Sequence, residues 1–215
     1  MLQVGILFRM VFFGILIYDE LVIRIFSKQR LRKNWRKIMP LEHYHLDVRT
    51  RTFMTSEINS DLQAETLYFS DNLTEEGCAN YPTHLLDAAR NGDDSTLAES
   101  LLACLKSHEK PRKLGSGGYS KPPIMRSNAH EMLAEGEFNR FYMRALCLRA
   151  MEQKIPELVV YRAKEVNNAR SASEGMIGQH ISAETLLNDL RTNVGVDTAL
   201  GLPPGPNSGL CVKLP

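Results

Sequence analysis

At 215 residues, with 43% hydrophobic and 24% charged side chains, the chain has the composition of a globular protein that buries a proper core. The formal net charge of +1 conceals an asymmetry: residues 1–38 carry +6, and the remainder carries −5, a basic head on a mildly acidic body. Four cysteines, Cys78, Cys104, Cys147 and Cys211, lie far apart with no C-x-x-C pair, which argues against a zinc module or a disulfide scaffold and for free thiols in a reducing cytoplasm.

Residues 2–26 are apolar, but Arg9, Asp19, Glu20 and Arg24 interrupt them. The longest clean run, Met10–Tyr18, is too short for a membrane-spanning helix, which needs about 20 residues. No small-residue cleavage site follows, so the segment is a poor signal peptide. A basic cluster, Lys28–Lys37, comes next, and composition changes abruptly at Met39. We read 1–38 as an extension outside the fold, produced by a start placed too far upstream. The other reading is a membrane-surface or signal-anchor segment with the basic cluster on the cytoplasmic side.

From Leu41 to Phe53 the residues alternate. Tyr44, Leu46 and Val48 fall on one face, and His43, His45, Asp47, Arg49 and Arg51 on the other, which predicts a half-buried strand. Thr55 or Ser56 then caps a helix to about Phe69. A polar break containing Pro82 precedes a short helix, about Thr83–Arg90, which Asn91-Gly92 ends. Asp94 or Ser95 opens a leucine-spaced helix. Asn128, with Glu131 as capping-box partner, opens a long helix to about Gln153. Apolar side chains surround that helix, as expected of a central core element. A strand follows Pro156. Ser171 opens a short helix, and Ser182 caps another. A turn-rich segment, GLPPGPNSG, leads to a final strand, LCVKL. The expected class is α+β: a mostly helical single domain over 39–215 with a small sheet, in which the first and last strands could meet, and a central buried helix at about 128–153.

Between the leucine-spaced helix and the central one lies RKLGSGGYSKPPIMR, Arg112–Arg126. It is not a phosphate-binding P-loop. That motif needs G-x-x-x-x-G-K-[ST] between a strand and a helix, whereas here Lys121 is followed by Pro122-Pro123 and the glycines are misplaced. From Lys106 to Arg126 the net charge is +5. A mobile basic loop of this kind can bind phosphates by releasing counterions, and Tyr119 can stack on a base. The plainer reading is a solvated connection whose charges balance an acidic body.

On the central helix, Glu137, Arg140 and Arg144 form a charged stripe. A buried arginine must be paired or must meet an anion. One reading is an intrahelical Glu137–Arg140 pair. The other is an anion site built by Arg140 and Arg144 with help from Arg162, Lys164 or the basic loop. His43, His45 and Asp47 share a face if their segment is a strand, and two imidazoles with a carboxylate can hold a divalent metal. The same alternation describes the wet face of an ordinary strand, and the neighbouring Arg49 and Arg51 oppose a metal.

No G-x-S-x-G, H-E-x-x-H, G-x-G-x-x-G or EF-hand pattern is present, and no cofactor is implied. The expected function is a non-catalytic accessory binding protein of the cytoplasm. Its contact residues are Lys110, Arg112, Lys113, Tyr119, Lys121, Arg126, Arg140 and Arg144, and its partners nucleic acid, an acidic protein or further copies of the chain. Membrane contact follows only if residues 1–38 are genuine. The alternatives are a metal-dependent hydrolase or nuclease using His43, His45 and Asp47, and a structural assembly protein.

Overall fold

A computed structural model describes residues 40–115, 117–165, 169–194 and 208–215. The expected N-terminal extension and most of GLPPGPNSG lie outside the described residues. Among the described residues six helices occur: α1 (Val48–Gln63), α2 (Glu75–Asn91), α3 (Asp94–Leu101), α4 (Ala129–Glu152), α5 (Ser171–Met176) and α6 (Ala183–Thr192). Strands β1 (Glu157–Arg162), β2 (His180–Ser182) and β3 (Leu210–Lys213) form an antiparallel sheet in the order β2-β1-β3. Leu158 pairs with Ile181 on one side of β1, and Tyr161 pairs with Cys211 on the other. The domain is α+β and mostly helical.

Helix α4 is central because it has no polar face to turn outward. Phe138, Phe141, Tyr142, Leu146, Cys147 and Ala150 are all buried along it. Helices α1, α3 and α6 pack around it, and β3 and β1 close the remaining side. Described residues belong to one compact unit, Met39–Pro215.

The expected strand over 41–53 is replaced by a strap and a helix. Leu41 donates its N–H to both carboxylate oxygens of Asp94 at 3.1 Å, and the Glu42 N–H reaches the Ala163 carbonyl at 2.9 Å. Asp47 then caps α1, its Oδ1 accepting from the Thr50 N–H at 3.0 Å, so helix begins eight residues before Ser56. The Arg51 guanidinium donates to the carbonyls of Ala88, Ala89 and Gly92 at 2.8–3.3 Å, satisfying the orphan C-terminus of α2. The first and last strands therefore do not pair as expected.

Helix α2 starts at Glu75, well before the expected Thr83. Thr74 caps it by accepting from Gly77 N–H at 2.9 Å, and Glu75 and Glu76 favour its positive end. Pro82 sits inside this helix rather than before it. Asn128 occupies the N-cap of α4, but its side chain makes no capping bond, and Glu131 lies 3.9 Å from His130 instead of closing a capping box. Ser182 does cap α6, with Oγ accepting from Thr185 N–H at 3.3 Å.

Candidate functional site

The basic segment is a hairpin arm. Isolated bridges join His108 to Ile124 and Lys113 to Tyr119, both centred on the glycine-rich tip. Backbone bonds run from Glu109 N–H to Pro123 O, Met125 N–H to Ser107 O, and Ser120 N–H to Arg112 O, each 2.8–2.9 Å. The Arg112 N–H also donates to Ser120 Oγ at 2.9 Å. Gly117 and Gly118 at the tip hold φ of 88° and 82°, a region that favours glycine. Prolines 122 and 123 fit because a hairpin's outer edge does not need their missing N–H groups.

The structure divides the arm's cations into two sets. At the base, Lys106 donates to the Asp71 carbonyl at 2.7 Å, Lys110 pairs with the Asp71 carboxylate, and Arg126 Nε meets Glu109 at 2.6 Å. These three anchor the arm. Arg126 holds the Glu109 carboxyl below its ordinary range. Toward the tip, Arg112, Lys113 and Lys121 are exposed, and their side chains make no hydrogen bond or ion pair among the described residues. Tyr119, 70% exposed, stands among them, with Leu114 and Ile124 also facing solvent. Sequence reasoning missed these two apolar side chains, and the signal for them was the pairing symmetry about the glycines.

Arg144 does not join this surface. It is 1% exposed, and its Nη1 and Nη2 grip both oxygens of Asp61 at 2.6 and 2.8 Å, while Nε donates to Glu57 at 2.7 Å. Arg191 of α6 shares Glu57 at 2.5 and 3.0 Å. Burial works to raise the Glu57 carboxyl, but Arg191 and Arg144 hold it below its ordinary value. Arg144 thus meets the anion that a buried arginine requires, and that anion is the protein's own.

Arg140 donates to the carbonyls of Leu190 and Asn193 at 3.2 and 2.8 Å, capping the end of α6. Its Nε lies 3.6 Å from Glu137 Oε2, the expected intrahelical pair. Arg162 donates to the Ser208 carbonyl at 3.2 Å, and Lys164 pairs with Glu135. Of the expected contact cations, Arg126 and Arg140 line one cavity, while Arg144, Lys110, Arg112, Lys113 and Lys121 do not line it.

The strand face expected to carry His43, His45 and Asp47 is not formed, because the segment is a strap leading into α1. The His43 ring packs against Phe138 and Tyr142, with centroids 5.3 and 4.3 Å away, and both its nitrogens are out of solvent. Burial pushes its pKa down to about 4. Asp47 is occupied by Thr50 and by Arg149 at 2.6 Å. His45 contributes its backbone N–H to the Tyr142 hydroxyl at 3.1 Å. Among the described residues no cluster of three or more His, Cys, Asp or Glu side chains is placed to hold a metal.

No family model matches this chain, and neither the curated proteins nor the solved structures give a significant match. Among the described residues no helix is long and apolar enough to cross a membrane.

Proposed function

We propose that the protein is a non-catalytic binding protein that takes nucleic acid, single-stranded in the first instance, on its basic hairpin. One observation carries this reading: Arg112, Lys113 and Lys121 stand exposed around Tyr119 while the arm's other cations are spent on its base. Three like charges on a short arm repel one another, and Glu109, already paired with Arg126, offsets only Arg112 in part. A phosphate backbone relieves that repulsion and releases counterions in doing so. Tyr119 offers a ring on which any base can stack, worth about 1–3 kcal/mol. Free thiols buried at Cys104, Cys147 and Cys211 support a reducing, cytoplasmic setting.

The test is charge reversal in the full chain. The triple variant R112E/K113E/K121E should weaken binding for all sequences alike. It should also flatten the dependence of log affinity on log salt by about 2, given about 0.7 per single-strand phosphate contact. Unchanged affinity and slope would place any binding elsewhere on the chain. Preferential binding of an acidic polypeptide over nucleic acid would redirect the reading to a protein partner.

A further inference from the structure

The tip of the hairpin is a short ladder of its own. The Ser120 N–H donates to the Arg112 carbonyl at 2.8 Å, and the Leu114 N–H donates to the Gly118 carbonyl at 3.0 Å. These two bonds bracket Lys113 and Tyr119, which stand opposite each other as a pair with no backbone bond between them. Nearer the base, the bonded positions are Glu109 with Pro123 and Ser107 with Met125. Bonded pairs in a regular antiparallel ladder recur at every second residue. Arg112 to Glu109 is an odd step, so the bonding phase breaks between tip and base. Pro111 and Pro122 fall within that break, and neither has an N–H to give. The ion pairs at the base therefore anchor the arm, and the tip is a separate small unit.

The pairing sorts the tip side chains by face. Opposed residues of an antiparallel pair share a face, and successive residues alternate. Lys113 and Tyr119 share one face, and Arg112, Leu114 and Ser120 share the other. A pair without its own backbone bonds brings its side chains closest, with Cα atoms about 4.5 Å apart. Tyr119 is largely exposed, Lys113 is exposed, and neither side chain has a hydrogen bond or ion pair among the described residues.

The reverse face is partly committed. Arg112 is near enough to Glu109 to help hold that carboxyl below its ordinary range. Ser120 Oγ accepts from the Arg112 N–H at 2.9 Å. Around Tyr119 the backbone is bare. A Cβ added at Gly115, Gly117 or Gly118 would meet no heavy atom within 4 Å, and Gly118 directly precedes Tyr119. Glycine at such a place lets a ligand approach the backbone closely.

Taking the hairpin as a nucleic-acid contact, we propose that Lys113 and Tyr119 form a single-nucleotide site for an unpaired base, and that Arg112 meets only the phosphate backbone. The base stacks on the Tyr119 ring, and the phosphate attached to it meets the Lys113 ammonium across the pair. Lysine suits this role because its charge rides on a flexible four-carbon stem. In a duplex the base faces are already stacked on one another, so the site selects single strands. Arg112, on the reverse face, takes a phosphate as the strand passes the tip, and its contribution is indifferent to the bases.

The probes are octathymidylate and an abasic deoxyribose-phosphate octamer of equal charge, titrated into the full chain by competition anisotropy at low salt. The wild type should prefer octathymidylate by about tenfold, a factor worth about 1.4 kcal/mol. Y119A should abolish that preference, and Y119F, which keeps the ring, should retain it. K113E should weaken binding and cut the preference to about twofold or less, because the phosphate that seats the base is lost. R112E should weaken binding to both strands and leave the preference intact. All three side chains are exposed, so each variant should keep the wild-type circular dichroism spectrum. Equal wild-type binding of the two strands would overturn the nucleotide site, and the hairpin reading would survive if R112E/K113E/K121E weakened both. A preference that persists in Y119A, or that R112E removes as fully as K113E, would overturn the assignment of faces. Binding of neither strand would remove the hairpin reading and this site with it.

Discussion

Replacing Arg144 with methionine tests whether that arginine is a strut or a receptor. The guanidinium is 1% exposed and gives Asp61 a two-pronged grip at 2.6 and 2.8 Å. It also lies 4.8 Å from the centre of the Phe141 ring. In R144M, Glu57 keeps Arg191, but Asp61 is left buried beside α4 with its side-chain partner removed. Breaking a buried pair from one side costs about 3–5 kcal/mol, because the remaining charge is uncompensated. That is a large share of a total stability of about 5–15 kcal/mol. With a urea m-value of about 2 kcal/mol/M, the midpoint should fall by about 2 M while the slope is unchanged. The double variant R144M/D61L removes both charges and should recover most of the loss, since apolar replacement of a whole buried pair is often neutral. R144K should not rescue, because an ammonium cannot reproduce the two-pronged grip. A loss under about 1 kcal/mol for R144M, or no recovery in the double variant, would refute the reasoning. Strong stabilisation of the wild type by phosphate that R144M abolishes would restore Arg144 as an anion receptor.

Two further perturbations follow from buried groups. His43 is held neutral with its pKa pushed down to about 4 from 6.5, so its stabilising contribution is complete above pH 6.5 and is lost as pH falls through 4. Asp94 is pushed up to about 6 from 3.8 by burial, so its contribution is complete below pH 3.8 and is lost as pH rises through 6. Each amounts to about 3 kcal/mol at most, and the two oppose each other between pH 4 and 6. H43F should therefore gain up to about 3 kcal/mol over the wild type at pH 4 relative to pH 7 in denaturant titrations, and parallel pH profiles would refute this. At Gly77, an added Cβ would lie 2.3 Å from the Cys104 carbonyl oxygen, a backbone atom that cannot swing away. G77A should cost about 1–3 kcal/mol and lower Tm by several degrees, and an unchanged Tm would contradict the close packing of α2 on residue 104.

The parts of the fold that could be read in advance are those whose burial is apolar. Helix α4 declared itself because Phe138, Phe141, Leu146 and their neighbours surround it, and β3 because LCVKL is short, apolar and preceded by turn residues. The first half of helix α1 was concealed by chemistry, and only the stretch after Ser56 was expected as helix, with an end at about Phe69 where the structure ends it at Gln63. Its buried stripe is Thr50, Met54, Glu57, Ile58 and Asp61, correctly spaced for a helix but mostly polar, so hydrophobic periodicity does not register it. The acids on that stripe are the partners of Arg144 and Arg191, and a sequence does not announce a pairing across 83 or 134 residues. Helix α2 was shortened by giving Pro82 the weight of a boundary, whereas the cap lay at Thr74, with Glu75 and Glu76 behind it. At the candidate interface the cations were evident, but their division into base and tip depends on Asp71 and Glu109, which only folding brings near. Glu137 and Arg140 were legible as a pair through their spacing. The cavity beside them was not, because its walls come from segments far apart in sequence.

The most direct test of the central claim is a fluorescence-anisotropy titration of the full chain with short single- and double-stranded DNA and RNA, at low and physiological salt, beside the R112E/K113E/K121E variant. The hairpin account predicts binding that weakens steeply with salt, favours single strands, and loses both affinity and salt slope in the variant. Binding absent at low salt, or present and identical in wild type and variant, would contradict it.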